Sequence, residues 1–226
     1  MAEQTAKTIL NNSFFKIESD LDKVFKKDAA STLWQLSSNS SSNFAPTADA
    51  STYIFASLPP TNYALSTNFI AIFDGKDLRN SWIKEVTNGT VSYFHAYKYK
   101  NKENNADEYA IVFRIEEAYF VLMEALAYQN QIPEAVYYLN LIRQRAGLDP
   151  LSENLSKESF IDEMLNESRR EFFTEGGHRF FDLKRNDRLH LLKMIKPNWQ
   201  DKHALLPIPE SETLLNPNLL PQNEGY

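Results

Sequence analysis

The rhythm of apolar positions changes near residue 109, and that change divides the chain. Beyond Tyr109 the periodicity is helical. Residues 111–128 (IVFRIEEAYFVLMEALAY) are apolar on nearly every face, which predicts a helix buried on most sides. Gln129-Asn130-Gln131 interrupts it. Pro133 then stands where a first helical turn tolerates proline, and Ala135, Val136, Leu139, Ile142 and Ala146 keep helical spacing up to Gly147, a natural stop. Helices joined by so short a break form an αα-hairpin, here with the dimensions of one tetratricopeptide unit. A lone unit leaves its apolar faces uncovered, so other helices must complete the stack. Residues 157–175 predict a further helix, capped by Ser156 and apolar along Phe160, Ile161, Met164, Leu165 and Phe172. His178–Arg185 and Leu189–Ile195 predict shorter ones.

The preceding residues are less regular. Ala2–Leu10 reads as a thin amphipathic helix, too short to stand without a partner, and none follows it directly. Residues 20–25 suggest a short helix and 32–36 a strand or extended segment. Ser37 to Ser42 reads as a solvated loop. Pro59-Pro60, Asp74-Gly75 and Asn88-Gly89 are turn signals. Trp34, Trp82 and many Tyr and Phe fall in this half, and loops carrying aromatics on a rigid scaffold are where binding sites concentrate. The tail from Leu206 is too rich in proline for regular structure, while its apolar residues predict packing against the body.

Composition narrows the function classes. The 226 residues are 42% hydrophobic and 24% charged, as in globular proteins, which excludes a disordered chain. No run of eighteen apolar residues predicts a membrane-spanning helix. A net charge of −6 without a basic stripe argues against nucleic acid as a partner. The absence of cysteine excludes disulfides, thiolate metal sites and thiol nucleophiles. The first residues do not read as a signal peptide, so the chain is expected to be either cytoplasmic or a piece of something longer. His95, His178, His190 and His203 lack the spacing that sets two ligands on one helical face, so no metal is expected. Neither a glycine-rich phosphate loop nor a G-x-S-x-G elbow occurs, and no cofactor is expected.

Carboxylates are the remaining catalytic possibility. Glu116, Glu117, Glu171, Glu175 and Asp182 lie in helical segments among Arg169, Arg170, Arg179, Lys184 and Arg185. Arginines push carboxylate pKa values down, which suits ion pairs between helices better than proton donation, so the structural reading outweighs the catalytic one.

Several blocks in order carry a more specific message. Arg114-Ile115-Glu116-Glu117-Ala118-Tyr119 is followed by Glu124-Ala125, then by Leu139-Asn140-Leu141-Ile142-Arg143-Gln144-Arg145-Ala146-Gly147-Leu148. Residues 167–185 (ESRREFFTEGGHRFFDLKR) come next, and Pro207-Ile208-Pro209, Asn216-Pro217 and Gln222-Asn223-Glu224-Gly225-Tyr226 close the chain. Together they resemble the SusD/RagB family of outer-membrane nutrient-binding lipoproteins. Asp77-Leu78-Arg79 with Trp82-Ile83, and Tyr97-Lys98-Tyr99-Lys100, look like its middle-region landmarks. Ser168, where the family often has Arg, and Glu224, in place of a usual proline, depart from the pattern.

The resemblance implies a mainly α, SusD-like fold: a tetratricopeptide-type hairpin plus an irregular, loop-rich part that faces ligand. It implies that the chain is a C-terminal portion of such a domain, with 1–13 ending an upstream helical repeat, 14–108 the loop-rich part, 109–148 the hairpin, and 149–226 the last helices and a packed tail. It implies no enzyme activity, but cell-surface binding of glycans or related nutrients and delivery to a SusC-like TonB-dependent transporter. The location implied is the outer membrane, with attachment only through a lipid anchor absent from this chain. Aromatic rings stack on the C–H faces of sugars, and polar side chains read the hydroxyls. Candidate ligand contacts are Trp34, Tyr53, Tyr63, Phe69 and Trp82, with Arg79 and Asn80 as polar partners. For each aromatic taken singly, core packing outweighs ligand contact, most of all for Trp34 in its apolar segment. Two rivals stand beside this reading: a helical-repeat scaffold that binds only protein or peptide, and a glycoside hydrolase.

Overall fold

The computed structural model describes residues 1–37, 45–61 and 63–226, and its long helices lie where the 3.6-residue rhythm placed them. In chain order the elements are α1 (Ala2–Leu10), β1 (Thr32–Leu36), α2 (Ala48–Tyr53), α3 (Thr67–Ile70), β2 (Ile83–Asn88), β3 (Val91–Ala96) and β4 (Ala110–Arg114). Helices α4 (Ile115–Tyr128), α5 (Ile132–Arg145), α6 (Lys157–Glu171), α7 (His178–Arg185) and α8 (Glu210–Leu215) follow, with short 3₁₀ turns between some of them. The fold is mainly α, as expected. Most of the loop expected at Ser37 to Ser42 lies outside the described residues. The chain divides into two compact units, Met1–Gly176 and Gly177–Tyr226.

In the first unit α4 and α5 make the expected hairpin, and both pack on α6. Their shared core joins Leu122, Leu126, Val136, Leu139, Phe160 and Met164. Ala6 of α1 is buried in the same cluster, because α1 lies along α4. The short first helix therefore has its partner, more than a hundred residues further along the chain. Ser156 caps α6 by accepting a hydrogen bond from the Ser159 N–H at 3.1 Å. The helix ends at Glu171, four residues earlier than the periodicity suggested.

One apolar run conceals two elements. Residues 110–114 form β4, antiparallel to β1, and the helix begins only at Ile115. Both readings bury the same residues, so hydrophobicity alone does not separate them. The switch occurs at Arg114, whose extended backbone N–H donates to the Glu117 carboxylate at 3.1 Å and starts α4. The extended reading of residues 32–36 holds as β1. The Asn88-Gly89 turn connects β2 to β3 in a six-pair antiparallel hairpin, with Gly89 at φ +62°.

Residues 20–25 form turns, not a helix. Leu21, Val24 and Phe25 nevertheless enter a second core with Ala50, Phe69, Trp82, Tyr99 and Phe173. The irregular half is thus held by its own apolar cluster, which α6's trailing segment shares through Phe173.

The second unit is pinned by its last residues. Gln222 both accepts from the Ile208 N–H and donates to the Ile208 carbonyl, each at 2.8 Å. Asn223 donates to the Leu206 carbonyl at 2.7 Å, and the Tyr226 hydroxyl donates to the Leu205 carbonyl at 3.1 Å. The tail does contain regular structure, α8. Its leucines were expected to pack, yet Leu206, Leu214 and Leu215 are exposed.

Candidate functional site

Two places in the first unit concentrate chemistry-bearing side chains: a buried cluster of charges and an exposed aromatic face. The charges come first, because they include residues expected to touch ligand.

Arg79 lies in the 3₁₀ turn Leu78–Trp82 and is fully buried. It donates Nε and Nη2 to the two carboxylate oxygens of Asp77 (2.9 and 2.8 Å) and Nη1 to Glu171 (3.0 Å). Its Nη2 also stands 2.6 Å from Glu167. Arg114 donates to the Glu171 carboxylate at 2.6 Å, to Glu175 at 2.9 Å and to the Glu171 carbonyl at 3.0 Å. Arg145 bridges Glu116 (2.8 Å) and Glu171 (2.5 Å), while Arg143 and Arg170 close on Glu167 at 3.1 and 2.7 Å. Lys98 donates to the carbonyls of Glu171 (2.7 Å) and Phe173 (2.9 Å), pairs with Glu175, and sits 4.1 Å from the centre of the Phe173 ring.

Isolated buried ions cost several kcal/mol each, so such a cluster persists only because nearly every charge meets several partners. Helical geometry supplies them: Glu167 and Glu171 are one turn apart on α6, and Arg143 and Arg145 close the last turn of α5.

The electrostatics follow from that packing. Burial pushes the Glu171 carboxyl up, but Arg145, Arg114 and Arg79 outweigh it and hold the group well below the carboxylate range. Glu175 is likewise lowered, burial being overcome by Arg114 and Lys98, and Glu167 is lowered by Arg79 and Arg170 against burial. Burial dominates elsewhere: it drives the Lys98 ammonium down to about 8 and the Glu117 carboxyl up to about 7. Carboxylates clamped by guanidinium groups do not release and recover protons near neutral pH. Glu171 and Glu175 are ion-pair anchors: Glu171 ties α6 to Arg79, Arg114 and Arg145, and Glu175 ties Arg114 to Lys98.

The aromatic face has the opposite character. Trp34 of β1 pairs across the strands with Phe113 of β4, their ring centroids 5.9 Å apart and tilted by 38°. Trp34 is 51% exposed and Phe113 48%, where the apolar segment suggested burial for Trp34. Trp34 sits between two irregularities in the β1–β4 register, and it and Phe113 form a pair left exposed on both strands. Beside them runs a groove of about 540 Å³ lined by Trp34, Phe14, Phe15, Lys27, Asp28 and Gln35, among others. Phe14 is 80% exposed. Phe14, Phe113, Lys27 and Asp28 were not anticipated. Reading 110–114 as strand would have exposed Phe113; nothing in the sequence marks Phe14.

The other expected contacts separate by burial. Tyr53 and Tyr63 come together, with ring centroids 6.4 Å apart, and Tyr63 is exposed. Asn80 is exposed, and its amide donates to the Asp74 carbonyl at 2.9 Å. Three expectations are corrected. Trp82 is fully buried and donates its indole N–H to the Leu21 carbonyl at 3.1 Å. Phe69 is buried against Phe73 and Phe173. Arg79 commits its guanidinium to three carboxylates. These side chains are placed for folding, because neither a ring sealed in the core nor a saturated guanidinium offers a surface to ligand.

The sequence profile of the SusD family matches residues 71–202, more than half of the chain. The chain belongs to the SusD family. A SusD-like protein of Formosa agariphila is 26% identical over 182 residues, which cover 74% of this chain and 33% of that protein. A SusD superfamily protein from Bacteroides vulgatus superposes with a TM-score of 0.73 at 20% identity, covering 99% of this chain and 58% of that one. Surface glycan-binding protein A from Bacteroides thetaiotaomicron gives the same score at 17% identity, covering 98% of this chain and 58% of that one. The chain thus spans a third of the curated relative and less than two thirds of either structure.

Within this SusD-family chain the sequence blocks behind the resemblance acquire a physical meaning. Arg114 and Glu116 come from the first block, Arg143 and Arg145 from the second, and Glu167, Arg170, Glu171 and Glu175 from the third. All are members of the buried ion network. The blocks therefore record how the fold is locked, whereas the exposed aromatic face lies outside them.

Proposed function

We propose that this chain takes part in capturing glycans or related nutrients at the cell surface, by binding and not by catalysis. Trp34 carries the reading: an indole half exposed on a strand pair, continuous with Phe113 and bordered by a groove. Pyranose rings present flat C–H faces, and rigid aromatic rings supply contact area to them at little entropic cost. The groove falls within the 300–1,000 Å³ usual for small-ligand sites, and Lys27 and Asp28 offer a donor and an acceptor for hydroxyls. The Tyr53–Tyr63 pair is a second aromatic surface for the same purpose.

Membership of the SusD family supports the remaining parts of the proposal, which are location at the outer membrane and delivery of captured ligand to a SusC-like TonB-dependent transporter. The test is a glycan array followed by titration calorimetry, comparing the chain with its Trp34→Ala variant. Binding that falls at least tenfold in the folded variant supports the reading. Binding only to transporter-derived peptide replaces glycan capture with a scaffold role, and release of shortened oligosaccharides replaces it with hydrolysis.

A further inference from the structure

A second cavity, of about 400 Å³, opens against the ion network at a place the aromatic groove does not share. Ile72, Phe73 and Leu148 give it apolar walls, and Asp74, Asp77, Glu163, Arg143 and Arg170 line it with charge. Arg170 is the incompletely matched network member that lines this cavity, as Arg145, with two unbonded nitrogens, does not. It commits Nη2 to Glu167 at 2.7 Å, but its Nε stands 4.0 Å from Asp77 and makes no hydrogen bond.

Two arginines (Arg143 and Arg170) and three carboxylates (Asp74, Asp77 and Glu163) face the cavity. A charged nitrogen without a hydrogen-bond partner in a low-dielectric interior, as Arg170 Nε is, favours an anion beside it. Glu163, seven residues before Arg170 and so on the same face of α6, is half buried and has no ion pair among the described residues. The cavity therefore offers an under-used guanidinium, an unpaired carboxylate and an apolar wall.

We propose that this cavity binds a small zwitterion with an apolar side chain, of α-amino-acid or dipeptide chemistry. Its carboxylate meets Arg170, its ammonium meets Glu163 with Asp74 nearby, and its side chain packs on Phe73, Ile72 and Leu148. A purely anionic ligand leaves Glu163 repelled, and a purely cationic one leaves Arg170 unmatched.

Titration calorimetry on the full chain tests this with L-leucine, leucyl-leucine, N-acetyl-leucine and leucinamide. At least one of the two zwitterions should bind at least tenfold more tightly than either singly charged derivative, and which of them does so distinguishes a free amino acid from a peptide. Glu163→Gln, outside the ion network, should weaken that zwitterion roughly tenfold with the thermal midpoint unchanged, as loss of a charge-assisted contact implies. Trp34→Ala should leave zwitterion binding as it was. Absence of saturable binding by both zwitterions, equal affinity for all four probes, indifference to Glu163→Gln, or loss on Trp34→Ala would each overturn the proposal.

Discussion

Arg79 and Glu171 are 92 residues apart in the chain and 3.0 Å apart in the fold, both fully buried. Their contact ties the irregular half of the first unit to helix α6. Glu171 also accepts from Arg114 and pairs with Arg145, so one carboxylate anchors three separate stretches of sequence. Replacing it by glutamine keeps the shape and removes the charge. Three guanidinium groups then lose their common counter-ion inside the protein, and breaking a buried pair in this way costs about 3–5 kcal/mol. Urea denaturation of Glu171→Gln should show a loss of that size, and a change below 1 kcal/mol would contradict the role given to the network.

The same network sets a dependence on acid. Glu167, Glu171 and Glu175 have folded pKa values held below the ordinary carboxylate range. The unfolded chain therefore binds protons first as pH falls. The stability these groups contribute is complete above about pH 4.5, the ordinary glutamate value, and is lost as pH drops through their depressed folded values. Glu117 has the opposite sign, because burial raises it to about 7. Its contribution is complete below about pH 4.5 and is lost as pH rises toward 7. Thermal midpoints measured from pH 3 to 8 should fall on the acid side, and Glu117→Gln should flatten the segment between 4.5 and 7.

Gly147 closes α5 with φ at +74°, the left-handed conformation that favours glycine. The Leu148 N–H donates to the Arg143 carbonyl at 2.9 Å, completing the helix stop. A Cβ here would stand 3.1 Å from the Leu78 side chain and 3.3 Å from the Lys76 carbonyl. Leu78 begins the turn that carries Arg79, so the close approach positions the ion pair as well as the helix end. Gly147→Ala should cost about 1–2 kcal/mol from the backbone conformation alone, read as a lowered urea midpoint.

The helices were legible because their evidence is local: the spacing of Val136, Leu139 and Ile142, the stop at Gly147, the cap at Ser156. What escaped depended on distant partners. Residues 110–114 form a strand because β1 pairs with them from almost eighty residues away, and α1 is stable because α4 covers it. The lowering of Glu171 and Glu175 follows the expectation. The arginines that pair with Glu171, however, are the distant Arg79, Arg114 and Arg145, not its neighbours Arg169 and Arg170. Burial raises Glu116 and Glu117 against the expectation. The candidate site was harder to read. An aromatic residue looks alike in sequence whether it ends in the core, as Trp82 does, or on the surface, as Trp34 does. For Trp82 the turn it ends seals it against Leu21 and Phe25, and for Trp34 pairing with β4 leaves it outside, and both depend on distant partners.

The two tryptophans give the sharpest contrast to measure. Trp82 fills the second core and donates its N–H to the Leu21 carbonyl. Trp82→Ala leaves a cavity the size of an indole and an unpaired carbonyl, and large-to-small changes of this kind cost about 3–5 kcal/mol. Trp34 is half exposed and its main packing partner among the rings is Phe113. Losing a single cross-strand pair costs about 0.2–1 kcal/mol, so Trp34→Ala should fold almost as well as the parent. If glycans stack on this ring, the stability-neutral variant is the one that loses binding. Any binding lost by Trp82→Ala should return in proportion to the folded fraction that circular dichroism reports. Equal stability losses in the two variants, or glycan affinity untouched by Trp34→Ala, would remove the exposed strand pair from consideration as the ligand platform.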